Sequence, residues 1–138
     1  MVDINTEFGR RVEKRLREEV VIWLTTVGAD LGPHPRPVWF VWDGSSFLIY
    51  SQRDAWKLRH IASHPRVALQ LNSDAEGEEV AVCLGRAEVV EGGPAADEVP
   101  EYLEKYRERI VDLGMSIPEF ADEYSVALRV FPTSVRGA

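Results

Sequence analysis

Between residues 8 and 20 the apolar side chains Phe8, Val12, Leu16 and Val20 recur at every fourth position among charged ones. That period predicts an amphipathic helix, with Asp3 or Asn5 as its N-cap. The period then changes. Val20 to Val27 (VVIWLTTV) is β-branched and aromatic and is closed by the turn sequence Gly28 to Gly32, which predicts a strand. Pro35 to Trp42 (PRPVWFVW) runs into Asp43-Gly44, and Ser46 to Ser51 (SFLIYS) follows, so these two runs are expected to pair as an antiparallel hairpin. Asp54 is the expected N-cap of a short helix over Ala55 to Ser63, which Pro65 ends. Arg66 to Leu71 alternates as a half-buried strand, and Glu79 to Glu91 is a longer one with Gly85 as its expected bulge. Residues 94–113 are acidic and helical in character, with Val99, Leu103, Tyr106 and Ile110 on the buried stripe. Pro118 opens a second short helix, and Tyr124 to Phe131 (YSVALRVF) is the last strand.

This pattern predicts a mainly β fold with flanking helices. Six mostly antiparallel strands joined by hairpins and few helices point to a split β-barrel, because closure removes exposed strand edges. No linker, repeat or low-complexity tract interrupts the 138 residues, so 1–138 reads as a single domain. Its parts are an N-terminal helix over 1–19, strands 1 to 5 over 20–91 with the helix at about 55–63, a helical insertion over 94–123 and strand 6 over 124–132.

Composition narrows the function. Hydrophobic residues make up 45% of the chain, enough for a core of its own. The single cysteine, Cys83, excludes an internal disulfide and suits a reducing cytoplasm, where it is expected to act as a small buried hydrophobe. No apolar stretch approaches the roughly 20 residues of a membrane span, so neither a membrane nor an extracellular setting is expected. A net charge of −7 opposes nucleic-acid binding, which depends on neutralising phosphates. The charge is uneven, however. From Pro33 to Arg66 there are five bases, Arg36, Arg53, Lys57, Arg59 and Arg66, against the two acids Asp43 and Asp54. A basic segment in an acidic chain suits a compact anionic ligand better than a long polyanion.

Within that segment Ser51, Arg53 and Lys57 stand next to the start of the expected helix, where free backbone N–H groups and the helix dipole favour a phosphate. Spacing alone leaves the alternative of ordinary solvated side chains open. His60 and His64 are four apart, but no glutamate follows His60 as a zinc-protease helix requires, and no metal site is predicted. His34 reads as an exposed turn histidine near the same segment. The chain has no Ser/His/Asp order, Walker loop or GxGxxG fingerprint. Few acid or base candidates flank the basic segment, which is compatible with hydride transfer, where a cofactor carries the reacting atom. No catalytic residue is assigned.

The ordered set of Val21 to Val27 (VIWLTTV), Pro33 to Gly44 (PHPRPVWFVWDG), Tyr50-Ser51, Lys57-Leu58, His64-Pro65-Arg66-Val67 and Gly85-Arg86-Ala87 resembles the pyridoxamine-phosphate-oxidase-like split-barrel superfamily, most closely its deazaflavin branch, which uses coenzyme F420. The likeness runs from about Val20 to Phe131. It implies an oxidoreductase that transfers a hydride between F420 and a small conjugated organic substrate, on a homodimer of six-stranded barrels with the flavin-like ring in a groove at the subunit interface. It places the cofactor phosphate at Ser51, Gln52, Arg53 and Lys57. The ring falls against Arg36, Pro37, Val38 and Trp39, with Thr25 and Thr26 beside it and Ile61 touching it from the helix. FMN remains the alternative cofactor, since its phosphate needs the same basic cradle. A carrier or sensor that binds F420 or a tetrapyrrole without turnover is the non-enzymatic alternative. The C-terminal signature of true pyridoxamine-phosphate oxidases is missing, which argues against vitamin B6 synthesis. The apolar load of Val38, Phe40, Trp42 and Trp56 is a second reason to expect a dimer.

Overall fold

The computed structural model describes residues 2–137. Helix α1 (Glu7–Glu18) is capped by Thr6, whose side chain accepts the Gly9 amide, and not by Asp3 or Asn5. Asp3 instead supplies its carbonyl to the Thr6 hydroxyl at 2.9 Å, holding the cap in place. Val12 and Leu16 on this helix join the main core.

The strands are β1 (Val21–Val27), β2 (Pro33–Trp39), β3 (Val41–Trp42), β4 (Phe47–Ser51), β5 (Arg66–Gln70), β6 (Ala81–Val89) and β7 (Val126–Gly137). They form one antiparallel sheet in the order β2-β1-β5-β6-β7-β4-β3. Seven strands replace the expected six because the run Pro35 to Trp42 is broken at Phe40. Its first part pairs with β1, Trp39 opposite Val21 and Pro33 opposite Val27. Only Val41 and Trp42 pair with β4, so most of the expected hairpin with Ser46 to Ser51 does not form. Pro33, Pro35 and Pro37 explain the choice. Proline has no N–H to donate to a ladder and is tolerated on edge strands, and β2 is an edge strand paired on one side alone.

The break at Phe40 also sets the overall curvature. β2 and β3 are the two edges of the sheet, yet one residue separates them in the chain, so the sheet must curl until its edges meet. The result is the split-barrel arrangement, in which β3 is only two residues long and the prolines of β2 blunt the other edge as a template.

Gly85 is the expected bulge: the register between β6 and β7 shifts at Leu84/Gly85. Strand β4 is buried on both faces and divides the interior. Phe47 and Ile49 enter the barrel core with Ile22, Leu24 and Phe40. Leu48 and Tyr50 face a second core built by α3 (Pro100–Asp112) and α4 (Ile117–Glu123). Along α3 the buried residues are Tyr102, Tyr106 and Ile110, so Tyr102 takes the place expected of Leu103. The expected helix over 94–113 is shortened at its start, where a 3-10 turn, Ala96–Glu98, precedes α3. Helix α4 begins at a Ser116/Glu119 capping box, with the Glu119 amide 3.2 Å from Ser116 Oγ and the Ser116 amide 3.1 Å from Glu119 Oε1.

Candidate functional site

Helix α2 (Trp56–Ser63) lies across from the β1–β2 hairpin, and an open groove of about 780 Å³ runs between them. The helix contributes Trp56, Lys57 and His60, and the hairpin contributes Thr26, His34 and Arg36. One end of this groove is electropositive and the other is polar and imidazole-rich.

At the electropositive end the start of α2 has no side-chain cap. Ala55 holds the N-cap position, and Asp54, expected there, does not cap the helix. The Leu58 amide donates to the Ala55 carbonyl at 3.2 Å, and since an alanine side chain cannot reach back, the Trp56 and Lys57 amides are left for an outside acceptor. Lys57 sits in that first turn. Burial lowers its pKa from the ordinary lysine value, and the Arg36 guanidinium nearby lowers it further. Neither Lys57 nor Arg36 has an acidic partner among the described residues. Two cations sharing a groove without a counter-ion would both gain from an anion placed between them. Gln52 reaches the same groove, its Nε2 donating to Glu123 Oε1 at 3.0 Å.

The other end is built around two rings. Thr26 is only 2% exposed, and its hydroxyl lies 2.8 Å from His60 Nδ1. The His34 and His60 ring centroids are 4.7 Å apart. Asp30, in the hairpin turn, accepts the Gly32 amide at 2.9 Å and stands 3.4 Å from His34 Nε2. The Gly32 amide first, and His34 second, hold the Asp30 carboxyl below its ordinary pKa. Trp56 forms an apolar rim: it is 67% exposed, with the Arg59 guanidinium carbon 4.7 Å from its ring centroid.

Of the residues expected from sequence, Thr26, Arg36, Pro37, Gln52 and Lys57 come together on this groove. The others lie elsewhere. Ser51 is 1% exposed and donates to the Gln52 carbonyl at 2.9 Å, while Ile61 is 4% exposed in the barrel core. Val38 packs against that core, and Trp39 stacks on Tyr106 in the second core with centroids 4.7 Å apart. Thr25 alternates with Thr26 along β1 and so points to the opposite face. Arg53 is exposed and does not line the groove. Phe40 and Trp42, offered as dimer surface, are buried within the chain, and of that group only Trp56 is openly exposed.

Sequence reasoning placed His34 near the groove but read it as an exposed turn residue, and it missed Asp30 and the role of His60. His60 was weighed with His64, its neighbour by spacing, whereas its partners come from other strands. Asp30 and His34 flank the β1–β2 hairpin, whose pairing the local pattern does not announce, so the contact of His34 with His60 is not visible in the sequence. Among the described residues no cluster of three or more metal-ligating side chains occurs, and no helix is long and apolar enough to cross a membrane.

Comparison with solved structures agrees with this architecture. The chain superposes on an F420 reductase with a TM-score of 0.69 at 23% identity, over 90% of this chain and 94% of that one. It superposes on a conserved hypothetical protein from Mycobacterium tuberculosis with a TM-score of 0.73 at 21% identity, over 95% and 82%. A heme storage protein from Vibrio cholerae gives 0.62 at 14% identity, over 96% and 95%. At these identities the likeness is one of fold. No curated protein matches the sequence. The profile described as pyridoxamine 5'-phosphate oxidase, however, matches residues 8–134, nearly the whole chain, and with the curled antiparallel sheet it establishes that the chain belongs to the pyridoxamine 5'-phosphate oxidase family.

Proposed function

We propose that the chain is an oxidoreductase that uses coenzyme F420, with the cofactor phosphate held at the start of α2 and a small conjugated organic substrate in the remainder of the groove. The observation that carries this reading is the pairing of Lys57 and Arg36, two cations without an acidic partner among the described residues, beside an uncapped helix start. That donor set fits a phosphate: backbone amides supply directed hydrogen bonds, Arg36 a planar fork and Lys57 a point charge. Pro37 and Trp56 give the same groove apolar surface on which a flat ring can rest. When bound, a deazaflavin supplies hydride chemistry that no side chain of the chain can perform. The residues do the rest. Lys57 and Arg36 fix one end of the ligand, Trp56 limits solvent at the rim, and such fixed orientation lowers the barrier to transfer.

The oxidoreductase is further proposed to act as a cytoplasmic homodimer, the dimer supported by the exposed Trp56 beside the groove and the compartment by the lone cysteine, Cys83. Light scattering at micromolar concentration then gives the mass of two chains.

The deciding experiment is a parallel titration with F420, FMN and heme. Micromolar or tighter binding of F420, with FMN much weaker, supports the reading. Tight FMN binding with no F420 binding replaces it by a flavin enzyme on the same fold. Heme binding alone replaces it by a tetrapyrrole carrier.

A further inference from the structure

We infer that His60, oriented by Thr26, is the hydrogen-bond donor for the carbonyl oxygen of a conjugated substrate, and that His34 with Asp30 supplies the proton this oxygen takes up. The inference deepens the reading of the groove as a reductase site and names its substrate class as conjugated carbonyl compounds, such as enones and quinones.

Thr26 as a residue is 2% exposed, and His60 Nδ1 at 2.8 Å is the one partner of its hydroxyl among the described residues, so the hydroxyl proton has that nitrogen as its acceptor within the chain. Thr26 therefore donates, and Nδ1 accepts. The neutral His60 ring must then carry its own proton on Nε2, at the opposite edge of the imidazole. No acceptor within the described chain takes up that N–H, and the ring lines the groove. A fixed N–H donor in a partly desolvated groove is what a developing oxyanion needs.

His34 has a different setting. Its side chain is 47% exposed, so it exchanges protons with solvent, and Asp30 stands 3.4 Å from Nε2 as counter-ion for the charged ring. Its ring centroid is 4.7 Å from that of His60, which puts both at one end of the groove. The other charged groups lining the groove beside the pair and Asp30 are Arg36 from β2 and Lys57 from α2. Both are cations that favour an anionic oxygen there.

The step balances as follows. A reduced deazaflavin or flavin held at Lys57 and Arg36 would supply a hydride to the conjugated carbon and leave oxidised, and the π electrons of the carbonyl compound would shift to its oxygen. That oxygen is stabilised by His60 Nε2–H. An N–H bond of the charged His34 breaks as the O–H bond forms, and the neutral ring regains a proton from water.

The test uses 4-nitrophenolate, a flat conjugated oxyanion whose visible absorbance reports binding to the cofactor-free chain. Wild type is expected to bind it, His60→Phe about ten-fold more weakly, and Thr26→Val, which releases Nδ1, to weaken it similarly. Side-chain 15N spectra are expected to show His60 as the Nε2–H tautomer in wild type and as a mixture in Thr26→Val. At pH 8, where the probe is an anion, His34→Gln is expected to leave nitrophenolate affinity within about two-fold of wild type and to slow turnover of an enone at least about ten-fold, and unchanged turnover in this variant overturns the proton-donor role. Failure of wild type to bind the probe, equal affinity in His60→Phe, or an Nδ1–H tautomer in wild type overturns the inference. F420 titrated against His60→Phe keeps the two claims apart. Retained F420 affinity with unchanged nitrophenolate affinity sinks the donor role and leaves the cofactor reading standing.

Discussion

Tyr106 and Phe40 are joined at both peptide groups: the Phe40 amide donates to the Tyr106 hydroxyl at 2.8 Å, and that hydroxyl lies 2.8 Å from the Phe40 carbonyl. The same hydroxyl is 2.7 Å from the Val20 carbonyl, so its single proton serves whichever of the two oxygens it faces. Phe40 is the residue at which one strand becomes two and the sheet passes from one edge to the other. Its ladder bonds are thus replaced by a side chain from α3, which lets the backbone turn without leaving buried groups unpaired.

Tyr106→Phe removes the hydroxyl and keeps the ring that stacks on Trp39. The Phe40 amide would then be buried without an acceptor, and we expect a loss of about 2–3 kcal/mol of stability. Urea unfolding checks this. A change below about 0.5 kcal/mol would mean that water replaces the hydroxyl and that α3 does not fix the break.

That contact explains what the sequence could and could not disclose. Local patterning located the helix around Val12 and Leu16, the bulge at Gly85 and the strand Val21–Val27, because each is specified by residues close in the chain. The partner of Pro35 to Trp42 was assigned to the wrong neighbour, since Asp43-Gly44 is a strong turn signal and nothing local announces Tyr106. The groove was half legible for the same reason. Lys57 and Arg36 stood out as basic residues in an acidic chain and Thr26 through the family resemblance, whereas the convergence of Thr26, His34 and His60 from β1, β2 and α2 has no local signal.

Gly85 is fixed by space, not by backbone angle. A Cβ there would sit 2.8 Å from the Phe131 carbonyl oxygen and 3.0 Å from Val130 Cγ1. Backbone cannot swing aside as a flexible side chain does, so Gly85→Ala is expected to cost about 1–3 kcal/mol. A thermal melt that matches wild type would show that the bulge relaxes freely.

Lys105 gives the chain a pH signature. Its amine donates to the Phe40 carbonyl at 2.9 Å and lies 3.9 Å from the Phe40 ring centroid. Burial first, and Arg109 second, push it down to about 8 against an ordinary 10.5, with Glu19 opposing. Between those two values the unfolded chain holds more protons than the folded one, so this residue makes stability rise with pH across that window. Below about 8 both states are protonated, and the burial cost is felt in full. Comparison of wild type with Lys105→Met by urea unfolding from pH 7 to 10.5 is expected to show the upward contribution disappear in the variant. Parallel curves for the two proteins would contradict it.

Lys57→Ala is expected to separate binding from stability. Removing a partly buried cation beside Arg36 takes away repulsion as well as charge, so the fold should be unharmed. Affinity for a phosphate-bearing cofactor should drop by about 1.5–3 kcal/mol, the scale of a hydrogen bond to a charged group. An unchanged dissociation constant would return Lys57 to the ordinary surface lysines.

Trp56 supplies the last prediction, because its exposure is unusual for so large an apolar side chain. At 67% exposure it contributes little burial to the folded chain, and Arg59 covers one part of its ring. A residue of this kind can be removed at little cost to stability, within about 0.5 kcal/mol. It nevertheless lines the groove next to Lys57, so a flat ring whose phosphate is held at the start of α2 lies within reach of the indole. Offset stacking between the two would add about 0.5–1.5 kcal/mol to binding. Trp56→Ala should therefore weaken F420 or FMN by that amount while leaving inorganic phosphate affinity unchanged, since phosphate has no ring to stack. Fluorescence offers an independent reading: cofactor should quench the emission of wild type by more than that of Trp56→Phe, which keeps the stacking surface but loses the indole. Should ring cofactor and bare phosphate weaken equally in Trp56→Ala, the indole would be shaping the start of α2 and not touching the ring.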